Sequence, residues 1–153
     1  MSDATSDQSF MARALELARE ARAADEVPVG AVLVQNGTIL AEGKNEVETR
    51  QDATAHAEML AIAGAQAALK SWRLGGTTLY VTKEPCPMCA GALAHARVDR
   101  IVFGVTDPKA GACGGAFNLF ALPGLNHRCE ITPGVEAETS LQLLQDFFRE
   151  KRS

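Results

Sequence analysis

The feature that most restricts this chain is a five-residue stretch, Pro85-Cys86-Pro87-Met88-Cys89. Two cysteines three apart, hemmed in by prolines, lead into a run of helical character from Ala90 to Arg97. Residues at i and i+3 share a helix face, so both sulfurs point the same way. Unpaired N–H groups at a helix start carry partial positive charge, and that field favours the thiolate, the form that binds metal. Thirty residues upstream stands His56-Ala57-Glu58. One imidazole and two thiolates make three protein ligands. Zinc with three protein ligands keeps a fourth position for water, the catalytic arrangement, whereas structural zinc is usually closed by four. Glu58, two residues from a ligand, is placed to take a proton from that water and hand it on. Hydrolytic attack on an electrophilic carbon is the chemistry this set predicts.

Each part has a plainer reading. Cys-x-x-Cys alone also fits a thioredoxin-like redox pair. His56 alone fits an ordinary hydrogen-bonded imidazole, and Glu58 alone fits a first-turn acid suited to the helix dipole. His-x-Glu and Pro-Cys-x-x-Cys together are far more specific than either.

With 153 residues, one domain is expected. There is no run of about 18 apolar residues, so no membrane span is expected. Residues 1–9 are polar and acidic and lack the basic and apolar regions of a secretory signal. They read as a disordered lead-in to a single domain at 10–152, and a cytoplasmic protein is expected. In that setting a Cys-x-x-Cys is metal-binding or redox-active rather than a disulfide staple. Cys113 and Cys129 read as small buried apolar residues. A net charge of −4 argues against broad non-specific nucleic-acid binding. The charge is uneven, however: residues 1–60 carry 5 basic and 11 acidic side chains, and the remainder 10 and 8. Arg149-Glu150-Lys151-Arg152 is the densest basic part, in a place that also suits a helix C-terminus.

Periodicity supplies the frame. Phe10 to Ala24 reads as an amphipathic helix, Val29 to Gln35 as a buried strand, and Thr38 to Gly43 as its hairpin partner across Asn36-Gly37. Thr54 is expected to cap a helix from Ala55 to Leu69. Thr77 to Thr82 and Arg100 to Val105 are strands flanking the Cys-x-x-Cys helix, which suggests a parallel crossover. Residues 106–126 form a long irregular loop, Arg128 to Thr132 a short fifth strand, and Val135 to Lys151 a last amphipathic helix. Both chemistry-bearing stretches open helices, and two helix starts meeting at one metal is the expected geometry.

His56-Ala57-Glu58 with Pro85-Cys86-Pro87-Met88-Cys89 resembles the zinc-dependent cytidine/deoxycytidylate deaminase superfamily. The likeness extends through Glu26 to Val34, Leu79 to Thr82, Glu84 to Ala92, Val102-Phe103-Gly104, Asn126-His127-Arg128 and Asp146 to Arg149, and it is closest to the branch that acts on transfer RNA. The resemblance implies a three-layer α/β/α cytidine-deaminase-like fold around a mixed sheet of about five strands. It implies hydrolytic deamination of adenosine to inosine at the wobble position, A34, of a tRNA anticodon. His56, Cys86 and Cys89 would hold one zinc per subunit. Glu58 would protonate N1 of adenine and help ammonia leave, with the backbone N–H groups of Ala57 and Cys86 facing the reacting centre. Asn45 would hydrogen-bond the base, Val29 would line the pocket, Asp107 and Lys109 would sit at the rim and on the RNA, and Phe148 and Arg149 would contact RNA from the C-terminal helix. These positions also have structural readings, as turn, strand core or helix packing. The implied partners are a tRNA anticodon stem-loop and a second copy of the chain in a homodimer. Glu46-Val47 after Asn45, and Gly-Ala-Cys-Gly-Gly at 111–115, depart from the family pattern. The competing readings are a deaminase of free guanine or cytosine on the same scaffold, a silent zinc-binding partner subunit, which should lack the acid that Glu58 provides, and the redox pair.

Overall fold

The computed structural model describes residues 4–152. The elements run α1 (Ala4–Ala23), β1 (Gly30–Gln35), β2 (Thr38–Lys44), α2 (Val47–Arg50), α3 (Ala57–Leu69), β3 (Thr77–Lys83), α4 (Pro87–His95), β4 (Arg100–Val105), a 3-10 turn (Leu119–Ala121), β5 (Glu130–Thr132) and α5 (Ala137–Arg152). The five strands make one sheet in the order β2-β1-β3-β4-β5. β1 is antiparallel to both β2 and β3, while β3, β4 and β5 are mutually parallel neighbours, so the sheet is mixed. β3-α4-β4 is the expected crossover. Asn36 and Gly37 both take positive φ, which is what a two-residue hairpin turn requires.

Side-chain alternation along the strands builds two cores. Ala31, Leu33, Leu79, Val81, Ile101 and Phe103 face α3 and α4. Val32, Val34, Tyr80 and Val102 face the other way, against Met11, Ala14, Leu15 and Ala18 of α1 and Leu143 of α5. Strands buried on both faces read as continuous apolar runs, as Gly30–Gln35 does. Helices on both faces give three layers. One close approach sets where α3 begins: a Cβ on Gly43 of β2 would lie 2.1 Å from the carbonyl oxygen of Ala57, the first residue of that helix. Only glycine lets the helix start sit directly on the sheet.

Several boundaries differ from expectation. α1 begins at Ala4, so the disordered lead-in expected at 1–9 is helical from residue 4 onward, and Met1–Asp3 lie outside the described residues. The reason is tertiary. Asp7 is buried; its carboxylate accepts from the Tyr80 hydroxyl at 2.8 Å and from two guanidinium nitrogens of Arg100 at 3.0 and 2.8 Å. The Arg100 hydrogen bonds outweigh burial and hold the Asp7 carboxyl below its ordinary value. Thr54 does not cap α3. Its hydroxyl and N–H both donate to the Asp52 carboxylate, and His56 is the N-cap residue. α4 starts earlier than expected, at Pro87, with proline in the first turn where its missing N–H costs nothing. Among the described residues, no helix is long and apolar enough to cross a membrane.

Candidate active site

Two helix starts converge at the ends of β2 and β3. His56 is the N-cap of α3 and Cys86 the N-cap of α4; both have extended backbone, and neither side chain caps its own helix. Their side chains are therefore free to point outward. His56 Nδ1 lies 3.7 Å from Cys86 Sγ and 3.5 Å from Cys89 Sγ, and the three candidate ligand atoms all fall within 4.8 Å of one another. Among the described residues this is the one His/Cys/Asp/Glu group close enough to hold a metal ion. Two sulfurs and one imidazole nitrogen are the donor set that suits zinc with an open fourth position. The residues fit the ion.

Within the triangle the protons are shared unevenly. The Cys89 thiol donates to Cys86, whose own pKa falls to about 4, helped further by His56. Cys89, hydrogen-bonded to Cys86 and buried, keeps its proton. The Cys86 thiolate in turn raises the pKa of His56. Glu58 lies in the first turn of α3 and is 4% exposed; burial lifts its carboxyl to about 7. A carboxyl poised between its two forms near neutral pH is suited to carrying a proton.

His56, Glu58 and Cys86 line a cavity of about 880 Å³, with Cys89 buried behind them. Val29, Asn45, Ala57, Asp107 and Phe148 line it, together with Ala110 and the C-terminal Lys151. Asn45 Nδ2 donates to the Val27 carbonyl and its Oδ1 accepts from the Val47 N–H, both at 3.2 Å, which leaves one donor and one acceptor position of the amide. It is thus a turn residue with hydrogen-bonding capacity to spare. Asp107 Oδ1 accepts from the N–H groups of Lys109 and Ala110, and Oδ2 pairs with Lys83 at 3.2 Å. Burial opposes ionisation there, but these bonds prevail and the pKa is lowered. Phe148 is 44% exposed at the rim, edge-on to the buried Phe147 at 5.3 Å between centroids.

Lys109 and Arg149 do not line the cavity. Lys109 is exposed beyond Asp107, and Arg149 pairs with Asp146 on its own helix. Lys151 is paired with Asp25 at 2.6 Å, which offsets part of the basic charge of the C-terminal end, and Glu150 of that end pairs with Arg22 of α1. Glu46 bonds Arg50 at 3.5 Å, and Val47 opens α2 at the cavity wall. Cys113 and Cys129 are free and buried, and burial pushes both thiols up to about 12.

Sequence reasoning assigned no role to Glu26, Lys83 or Glu84, all of which line the cavity. Glu26 is 1% exposed and accepts from the Glu48 N–H and from the N–H and hydroxyl of Thr49. Burial pushes its pKa up, yet those hydrogen bonds win and it is lowered. Both glutamates fall inside stretches that resemble the family, but a carboxylate bonded to a distant backbone leaves no local pattern.

The chain is 50% identical over 148 residues to the tRNA-specific adenosine deaminase of Bacillus subtilis (strain 168), covering 97% of this chain and 92% of that one. A solved structure from a study of A-to-I editing by tRNA:A34 deaminases at the wobble position of transfer RNA superposes with a TM-score of 0.84 at 42% identity, over 89% of this chain and 99% of that one. A guanine deaminase from Nitrosomonas europaea superposes with a TM-score of 0.79 at 29% identity, over 92% and 83%. The cytidine-deaminase-like fold is thus shared with these proteins, and with the family model matching residues 5–152, the chain belongs to the MafB19-like deaminases.

Proposed function

We infer that this chain is a hydrolytic tRNA adenosine deaminase that converts A34 to inosine. The observation that carries the chemistry is the buried Glu58 carboxyl beside the His56/Cys86/Cys89 triangle at the floor of an open cavity. What selects adenosine in tRNA over a free base is the likeness to tRNA-specific adenosine deaminases at 50% identity, against 29% for the guanine deaminase.

His56, Cys86 and Cys89 would hold one zinc ion per subunit, supplying the Lewis acidity that makes water nucleophilic near neutral pH. The chain's own groups do the rest. Glu58 takes a proton from the attacking water and delivers it to N1 of adenine, then shuttles a second proton to the departing amine. Adenosine and water become inosine and ammonia. Val29 and Phe148 wall the base, and Asn45 spends its spare donor and acceptor on the base edge. The N–H groups of Ala57 and Cys86 face the reacting centre. Reaching A34 requires the anticodon loop to be splayed so that one base enters and its neighbours lie across the rim. Asp107 bounds that rim, and Lys109 and Arg149, exposed beyond the cavity, meet the flanking phosphates. The net charge of −4 is compatible with this, since only local charge is needed. A homodimer, with each copy helping to shape the other's site, and a cytoplasmic setting complete the reading.

The test is direct. Purified protein is incubated with transcribed tRNA bearing A34, with free guanine and cytosine in parallel. Inosine at position 34, read as A-to-G on sequencing, is expected, with the free bases untouched. Ammonia release from guanine without tRNA editing would establish the alternative instead.

A further inference from the structure

Glu84 is the last residue before the metal-ligand turn, with Pro85 and Cys86 directly after it. Its carboxylate is buried, 3% exposed. Oε1 accepts from the Asp107 N–H at 2.8 Å, and Oε2 accepts from the N–H groups of Cys113 and Gly115 at 2.9 and 2.8 Å. The loop after β4 is thus coiled round a single carboxylate. The fit is tight: a Cβ on Gly111 would lie 2.3 Å from Oε1, and one on Gly115 would lie 2.2 Å from it. Backbone bonds stitch the same two segments together, from Glu84 N–H to the Val105 carbonyl and from Ala112 N–H to the Pro85 carbonyl, each at 2.9 Å. The Gly-Ala-Cys-Gly-Gly departure from the family pattern falls in this wrapping. At one end of the wrapping are Asp107 and Ala110, both in the cavity wall.

We infer that Glu84 is a positioning residue for the deamination, its carboxylate locking the 107–115 loop to the metal-ligand turn so that the substrate wall stands at a fixed distance from Cys86. The inference rests on the reading of the cavity as an adenosine site. Three charge-assisted bonds from backbone N–H groups are stronger than neutral ones, and they fix the loop alongside the packing of Ala112 and Cys113 in the core. Glutamine cannot replace the acid. One end of its amide can accept, but the other presents N–H to an N–H, so either the Asp107 bond or both the Cys113 and Gly115 bonds are lost in any orientation. Glu58 and the three ligands are untouched by such a change. The wall would loosen while the chemistry stayed in place.

The experiment is steady-state kinetics of Glu84→Gln on A34 tRNA, with zinc content and amide hydrogen exchange measured on the same preparation. KM should rise about tenfold with kcat nearly unchanged. Zinc should remain at one per chain, and the amides of Asp107, Cys113 and Gly115 should lose protection. Gly115→Ala, whose Cβ would meet Glu84 Oε1 at 2.2 Å and the Asp107 carbonyl at 2.5 Å and so force the carboxylate and the loop apart, should reproduce the KM rise; it decides the matter if Glu84→Gln does not fold. An unchanged KM in both variants overturns the inference, as does loss of zinc in proportion to activity, which would make Glu84 a support for the ligands alone. Failure of the unaltered protein to edit tRNA would instead sink the functional reading, and the exchange result stands apart from that.

Discussion

The metal triangle and the cavity wall are built on different plans. His56, Cys86 and Cys89 come from two helix starts, and each side chain is aimed by its own local backbone. The wall is gathered from the turn before β1, the end of β2, α2, the 107–110 loop and α5, and it is held by ion pairs and by two buried carboxylates that bond backbone far away in sequence. The His/Cys/Cys triangle is thus written in short motifs, and the cavity wall around it is written in long-range contacts. One consequence is that the two can fail separately.

The largest effect that separates them is at Glu58. Glu58→Ala should keep the metal and the fold but lower the rate of inosine formation by about 10³-fold or more, as expected for loss of the group that moves the proton. His56→Ala should lose metal and activity together, and chelation of the unaltered protein should lower its melting temperature, because metal binding is linked to folding. Metal analysis beside a single-turnover assay distinguishes the two; normal deamination by Glu58→Ala would dissolve the assigned role.

A smaller effect, on stability rather than chemistry, is expected at Asp7. Asp7→Ala leaves the largely buried Arg100 guanidinium without its bidentate partner and should cost about 3 kcal/mol, read from urea unfolding. The pH dependence has a definite sign. The folded pKa of Asp7 lies below its ordinary 3.8, so its stabilisation is complete above that value and is lost as pH falls through the lower folded pKa. The alanine variant should lack that part of the acid transition, while KM for tRNA at neutral pH stays the same. A shifted KM would mean that α1 reaches the wall after all.

The smallest effect is expected at Arg149, whose side chain is exposed and bonded to Asp146 on its own helix. Arg149→Ala should weaken tRNA binding only a few-fold and reduce the slope of log affinity against log salt by about one, the signature of one lost phosphate contact. An unchanged slope would confine the RNA surface to the cavity mouth.

Most of the architecture was legible because apolar alternation and turn chemistry are local. Val-Gly-Ala-Val-Leu-Val-Gln, Asn36-Gly37 and the two helix starts each announce themselves within a few residues. The start of α1 was not legible, since the first turns are polar and their anchor, Asp7, finds its partners 73 and 93 residues away. Thr54 offered a sound capping signal, but Asp52 captured its hydroxyl first. The clustering of His56, Cys86 and Cys89 was readable from the two short motifs. Glu26 and Glu84 were not, because a buried acid looks in sequence like any other until the loop that wraps it is seen.

The contact between Gly43 and Ala57 has an implication for reading genomes. Any side chain at position 43 must displace the start of α3, and His56 and Glu58 ride on that start while both sulfurs belong to another helix. A homologue with an alanine there could preserve His-x-Glu and Cys-x-x-Cys letter for letter and still be a dead enzyme, so a scan for the signature alone would count it among the living.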